Sequence, residues 1–214
     1  MLFEPAQSLT DLALGIITVT FAARLGRSES ANRHWRTAFW WFGVAALAGA
    51  VHHGVFNRWE RAGLISWTII SMFVVVAVSY VLAATVNDVL GPGRARAFWL
   101  LRSVGLVAYL GVAVTGHAGV NAILACESLT MLSVLILWGR AAWQRHPMAS
   151  GVIVAILASG GASGLKAVSP EVTAMIGLDP TSAYHIAQIV GTILLYDALR
   201  GPVSAKIATS EAPA

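Results

Sequence analysis

Seven long apolar runs dominate the sequence. They fall at residues 8–25, 37–57, 64–88, 97–116, 119–139, 147–168 and 183–199. A helix needs about 20 mainly apolar residues to cross the hydrocarbon core of a bilayer, and each run is close to that length. The pattern predicts an all-α polytopic membrane protein with seven transmembrane helices.

The composition agrees with a membrane protein and excludes most soluble classes. Of the 214 residues, 57% are hydrophobic and 11% are charged, and the mean hydropathy is +0.72. Soluble domains carry about 25% charged residues. The net charge of +4 does not indicate a nucleic-acid partner, because the arginines are spread over the segments between apolar runs instead of forming one block.

The placement of the arginines predicts how the helices are oriented. The segment between the first and second runs, RLGRSESANRHWR, holds four arginines, and the segments after the third and fifth runs are also basic. The N-terminus carries Glu4 and Asp11, and the segment between the sixth and seventh runs carries Glu171 and Asp179. Because positive segments stay in the cytoplasm, we expect the N-terminus outside and the C-terminus inside.

The sequence shows no internal repeat and no second domain. We therefore expect residues 1–200 to form one transmembrane domain and residues 201–214, which are small and polar, to be a disordered cytoplasmic tail. The expected location is the bacterial inner membrane.

Polar side chains within the predicted helices gather in the outer half of the membrane. Each ionisable group costs roughly 2.5–3.5 kcal/mol on insertion scales, so such groups normally face the interior of the bundle. The predicted orientation and a rise of ~1.5 Å per residue put them at similar depth. They are Asp11, His52, His53, His117, Glu127, Lys166, His185 and Gln188. The group predicts a polar pocket that opens to the outside.

Helical spacing indicates which of these side chains point inward. On the second helix a stripe of small residues ends in a histidine: Ala46, Gly49, Ala50 and His53. On the seventh helix a polar seam runs through Thr181, His185, Gln188 and Thr192. Small-residue stripes mark close packing between membrane helices. We therefore expect His53 and His185 to face each other across the bundle.

Histidines and a carboxylate in an open pocket suit zinc, because catalytic zinc takes three protein ligands and keeps one open position. The predicted metal ligands are His53 and His185, with His52, Asp11 or Glu127 as the third. In a hydrolase, Asp11 or Glu127 would act as the base, and Gln188 or Lys166 would stabilise the oxyanion.

These motifs resemble those of the superfamily that contains alkaline ceramidases and adiponectin-type receptors. That superfamily has seven helices, a Ser-x-x-x-His pattern in helix 2 and a His-x-x-x-His pattern in helix 7. This chain has Gly49-x-x-x-His53 and Thr181-x-x-x-His185, so the second histidine of each motif matches. An aspartate near the start of helix 3 has no counterpart, and only Glu60 is close. The resemblance implies a zinc-dependent hydrolase of a membrane lipid amide or ester.

Other functions are open from the residues alone. His53 and His185 could hold haem b in a non-catalytic protein. Glu127, Lys166 and the histidines could form a relay in a proton-coupled transporter, or line the pocket of a receptor-like binding protein. A structural subunit of a larger complex is a further alternative.

Overall fold

The protein is almost entirely helical in the computed structural model. The structure describes residues 2–27, 32–117, 120–165, 170–175 and 177–210, with the backbone alone for 117, 120, 121, 170 and 201–210. These residues contain no strand, which confirms the all-α class for the described chain. The helices are α1 (Pro5–Leu25), α2 (Arg33–Gly54), α3 (Glu60–Leu90), α4 (Ala95–Val112), α5 (Val120–Trp143), α6 (Ala149–Gly164), α7 (Pro170–Ala174) and α8 (Pro180–Ser210).

Four helices are long and apolar enough to cross a membrane: α1, α3, α4 with its continuation to Gly116, and the Ala122–Trp143 part of α5. The apolar helix α6 is shorter, at 16 residues. In α2, the arginines of the first turn and the histidines of the last turn lower the hydropathy, because both residue types are strongly polar. Length and composition thus support a membrane protein.

Six helices form a closed ring. In order around the ring, α1 contacts α2, α2 contacts α3, α3 contacts α5, α5 contacts α6, α6 contacts α8, and α8 returns to α1. Helix α4 packs mainly against α5 and adds no residue to the described lining of the central cavity. The ring encloses that cavity, and α4 lies outside it.

Glycines let α1 and α2 approach closely. A Cβ atom on Gly15 would lie 2.7 Å from the Leu47 side chain, and one on Gly43 would lie 3.2 Å from the backbone nitrogen of Val19. Small residues at such crossings are what allows membrane helices to pack tightly. The predicted stripe on α2 is buried as expected, and its end places His53 against α1.

Two tryptophans close the end of the ring opposite His53. Trp35 and Trp138 are fully buried, and their rings lie 6.5 Å apart. The indole nitrogen of Trp35 donates to Asp88 Oδ2 at 2.8 Å, and that of Trp138 donates to Thr85 Oγ1 at 3.0 Å. Both indoles can therefore be buried without leaving a polar group unsatisfied.

Two features differ from the sequence expectations. A short helix, α7, lies between α6 and α8, where the sequence predicts only a loop. Helix α8 continues to Ser210, ten residues into the segment expected to be disordered. Alanine and lysine are good helix formers, which favours helix at Ala205, Lys206 and Ala208, whereas Gly201 and Pro202, where the continuation starts, are poor ones. Residues 211–214 lie outside the described chain.

Candidate metal centre

Asp11 from α1, His53 from α2 and His185 from α8 meet at one end of the ring. All three are buried, and one ligand atom from each lies within 4.8 Å of the other two. Asp11 Oδ1 is 3.4 Å from His185 Nε2, and Asp11 Oδ2 is 3.9 Å from His53 Nε2. A carboxylate and two imidazoles can thus reach one small cation.

A carboxylate orients the His53 ring. His53 Nδ1 lies 2.7 Å from Glu4 Oε2, which also accepts a hydrogen bond from Asn57 Nδ2 at 3.0 Å. The segment before α1 is held here because the Glu4 backbone N–H donates to the His53 carbonyl. Since a carboxylate only accepts, Nδ1 carries the proton, and Nε2 is the ring nitrogen on the side of Asp11.

A hydroxyl orients the His185 ring in the same sense. His185 Nδ1 lies 3.0 Å from Thr10 Oγ1. The Thr10 hydroxyl also lies within hydrogen-bond distance of the carbonyls of Ala6 and Gln7, in the same turn of α1, and can donate its single hydrogen to one of them. Thr10 can then accept from Nδ1–H, which leaves Nε2 of His185 on the side of Asp11. Hydrogen bonds of this kind set the tautomer of metal-binding histidines.

The resulting arrangement can hold a cation. Nε2 of each histidine and the Asp11 carboxylate lie around one buried point, where the attraction of a positive charge is little screened. A metal ion at that point, or a proton on one ring, would supply that charge. The donor set of two nitrogens and one oxygen is found in catalytic zinc sites.

Gly49 provides the space that the Asp11 carboxylate occupies. A Cβ atom on Gly49 would collide with Asp11 Oδ2 and lie 2.9 Å from Asp11 Cγ. The glycine and the aspartate therefore form a matched pair in this chain. The glycine in the local sequence GAVHH thus leaves room for the Asp11 carboxylate from the neighbouring helix.

We expect Gly49→Ala to weaken metal binding by displacing the Asp11 carboxylate. The loss of affinity should be at least about 10-fold, the lower bound for disturbing groups that orient metal ligands, measured by competition with a chromogenic chelator. Gly139→Ala is the control, because nothing lies within 4 Å of a Cβ atom there. Equal affinities of the two variants would contradict this role of Gly49.

The three ligands lie at one end of a large cavity inside the ring. The cavity has a volume of about 720 Å³. Tyr184 and Gln188 line it near the three candidate metal ligands, while its remaining walls are mostly apolar and extend to Trp35 and Phe39 at the closed end. The cavity therefore has one polar end, and the rest of its wall is apolar.

Glu127 lines the same cavity from α5, away from the α1–α2–α8 side that carries the three ligands. Its Oε1 pairs with Arg102 Nη2 at 3.0 Å, and Arg102 Nη1 donates to Thr130 Oγ1 at 2.8 Å. Glu127 Oε2 is buried and accepts no hydrogen bond from the described residues. Arg102 is itself buried, so the ion pair lies inside the bundle.

The remaining predicted site residues have other positions. His52 Nδ1 lies 2.7 Å from Ser66 Oγ, and its ring lies 5.4 Å from that of Trp67, so it does not join the three ligands. Gln188 donates from Nε2 to the carbonyl of Ser159 at 3.0 Å and thereby links α8 to α6. Lys166 lies outside the described residues, as does the side chain of His117.

Glu4 and Thr10 are the functional residues that the sequence interpretation missed. Glu4 is the N-cap of α1 and lies seven positions, or two helical turns, before Asp11, while Thr10 is next to Asp11 and points ~100° away from it around the helix. Because metal-binding histidines nearly always donate to a carboxylate, carbonyl or hydroxyl, the i, i+7 pair of Glu4 and Asp11 was the available signal.

Asp179 fixes the start of α8, which carries His185. Its Oδ1 accepts from the backbone N–H groups of Thr181 and Ser182, at 2.9 and 3.0 Å, and its Oδ2 accepts from the Ser182 hydroxyl. Burial acts to raise the pKa of Asp179, but these hydrogen bonds together outweigh it and hold the pKa below its ordinary value. The carboxylate is therefore charged at neutral pH and caps the helix.

Comparison with known proteins gives one family. No curated protein matches the chain, and no solved structure matches it. A family model described as a family of unknown function, DUF6962, matches residues 6–203, which include all three candidate ligands. The chain therefore belongs to the DUF6962 family.

Proposed function

We propose that this protein is a zinc-dependent hydrolase that cleaves a lipid amide or ester inside the membrane. The observation that carries the proposal is the convergence of Asp11, His53 and His185 at the polar end of an otherwise apolar cavity. The resemblance of the His53 and His185 motifs to those of the alkaline ceramidase and adiponectin-receptor superfamily supports the same function.

Zinc fits the donor set. Three protein ligands with an open fourth position characterise catalytic zinc sites, whereas structural sites are closed by four. A zinc ion held by Asp11, His53 and His185 would supply Lewis-acid activation of water and of the scissile carbonyl. Glu4 and Thr10 keep the two imidazoles in the tautomer that such an ion needs.

The shape of the cavity supports a lipid substrate. Its volume of about 720 Å³ falls within the usual range for small-molecule sites. The apolar walls would hold an acyl chain, and the polar end would receive the carbonyl to be cleaved. Tyr184 and Gln188 are the polar side chains beside His185 in the cavity wall, and either would be placed to donate to the developing oxyanion.

The position of Asp11 changes the predicted division of roles. Asp11 is assigned here as a metal ligand, so it no longer serves as the base. Glu127 is the described carboxylate that lines the cavity outside the three-ligand group, and its Oε2 faces no protein donor. We therefore assign the base, or the group that binds the substrate's donor, to Glu127.

We propose that seven helices cross the membrane, with the N-terminus outside, in a bacterial inner membrane. Three helices of the ring, α1, α3 and α5, are apolar enough to span, and α2, α6 and α8 lie between them in the ring. The end opposite the three ligands is rich in arginine, including Arg24, Arg33 and Arg94. The positive-inside tendency would place that end in the cytoplasm.

The test is elemental analysis of detergent-purified protein combined with a hydrolysis assay on an acyl amide and an acyl ester of the same chain length. We expect about one zinc ion per chain, hydrolysis of one of the two lipids, loss of hydrolysis on chelation, and recovery with added zinc. Protein that neither contains nor takes up zinc would overturn the proposal. A Soret absorption band, or metal-independent proton flux in liposomes, would also overturn it in favour of a haem protein or a transporter.

A further inference from the structure

A second cavity lies at the opposite end of the bundle from the candidate metal centre. It is formed between the start of α2, the end of α3 and the start of α4, and has a volume of about 580 Å³. On α2, 20 residues separate Arg33, which lines it, from His53, which corresponds to ~30 Å along the helix. Its lining includes Arg33, His34, Tyr80, Asn87, Arg94 and Trp99.

The cavity carries positive charge that no described carboxylate neutralises. Arg33 and Arg94 are exposed, and neither has an ion-pair partner among the residues the structure describes. Arg94 Nε donates to the Leu90 carbonyl at 3.3 Å, which holds its guanidinium at the α3–α4 turn. The nearby Asp88 carboxylate instead accepts from the Asn32 amide and the Trp35 indole.

Two helix N-termini add to this charge, and that of α2 is capped by Asn32, which accepts from the His34 backbone N–H. Arg33 and His34 are in the first turn of α2, and Ala95, which also lines the cavity, begins α4. The start of α4 has no side-chain cap, so its first backbone N–H groups are available to an acceptor. The N-terminus of a helix carries partial positive charge and free donors, which together favour phosphate.

Aromatic and apolar side chains border the charged part. Trp99 is 64% exposed, and Phe98 and Val86 complete the wall on that side. Exposed tryptophans next to arginines are typical of the level of lipid headgroups. A phosphate next to the arginines and an acyl chain along these aromatic and apolar side chains would therefore match the charged part and the apolar part of the cavity.

We propose that this cavity, the α2–α4 cavity, binds the phosphate of an anionic phospholipid in the leaflet at this end of the bundle. Arg33, Arg94 and the first turn of α4 contact the phosphate, and Trp99 and Phe98 contact the glycerol and upper acyl region. This site is separate from the metal centre and does not rest on the proposed hydrolase function.

The test is native mass spectrometry of the purified full chain with phosphatidylglycerol or phosphatidylcholine. We expect wild-type protein to prefer phosphatidylglycerol, and Arg33→Gln/Arg94→Gln to bind it about thirty-fold more weakly, as expected for removing two arginines at an anionic lipid surface. The control is Arg24→Gln/Arg140→Gln, which removes the same charge from the same end but outside the cavity. It should change the affinity less than about three-fold.

Three outcomes would overturn the proposal. The first is an equal loss in both double variants, which would show a diffuse charge effect. The second is equal affinity of wild-type protein for the two lipids. The third is displacement of the lipid by millimolar inorganic phosphate, which would identify a soluble phosphate as the ligand. An unchanged melting temperature of lipid-free variants confirms that they are folded.

Discussion

Replacing His53 or His185 by alanine is expected to abolish metal binding. Each substitution removes one of three ligands and leaves Asp11 with a single imidazole. The affinity should fall by more than about 100-fold, because loss of a group that merely orients a ligand already costs 10–100-fold. Equilibrium dialysis followed by elemental analysis measures the effect.

His52→Ala is the matched control for this prediction. His52 is adjacent in sequence to His53 and is also buried, but its ring is bound to Ser66 on α3 and lies outside the three-ligand group. We expect the His52→Ala protein to keep its metal. Metal retained after both His53→Ala and His185→Ala, or lost only with His52→Ala, would show that the ion is held elsewhere.

Replacing Arg102 by methionine is expected to destabilise the protein by about 3–5 kcal/mol. The substitution leaves the Glu127 carboxylate without its positive partner in a buried position, and uncompensated buried charges carry penalties of this size. It also removes a donor from Thr130. The free energy of unfolding, measured by denaturant titration in detergent micelles, is the readout.

The double variant Arg102→Met/Glu127→Gln separates charge from packing. If the cost arises from the unpaired carboxylate, the double variant should recover most of the lost stability, since removing both partners of a buried pair is often close to neutral. Ser103→Ala, an exposed position on the same helix, should change stability by less than about 0.5 kcal/mol. An Arg102→Met protein as stable as the Ser103→Ala protein would contradict the prediction.

The ion pair also bears on the role of Glu127. Arg102 lies on α4, outside the ring, yet it reaches one oxygen of Glu127, while the second oxygen is buried without a hydrogen-bond partner among the described residues. Arg102 thus acts as a positioning residue for a carboxylate that the proposed hydrolase would use. Glu127→Gln keeps the shape and removes the charge, so it should bind metal normally and lose hydrolysis.

Helical phase and depth were sufficient to predict His53 and His185 as facing residues. The stripe that ends at His53 is buried, and the Nε2 atoms of the two histidines both point to Asp11. The third ligand could not be predicted in the same way. His52 and Asp11 are at comparable depth, and sequence alone does not show which neighbour of α2 supplies a side chain at that level.

The ion-pair and hydrogen-bond partners of individual polar residues also could not be predicted from the sequence. The buried partner of Glu127 is Arg102 on α4, and no sequence pattern indicates that these two residues meet. Glu4 and Thr10 became identifiable as orienting groups only once α1 was placed against α2 and α8. Such pairings depend on which helices are adjacent.

The sequence by itself determined that the chain is helical, apolar enough for a membrane, and polar at one level within its bundle. These properties are local, because hydropathy and the period of 3.6 residues per turn are carried by each segment separately. Only the tertiary structure decided that α4 lies outside the ring, that Gly49 makes room for Asp11, and that His52 turns to Ser66. Adjacent residues on a helix differ by ~100° in direction, so a single position decides whether a histidine faces the cavity or a neighbouring helix.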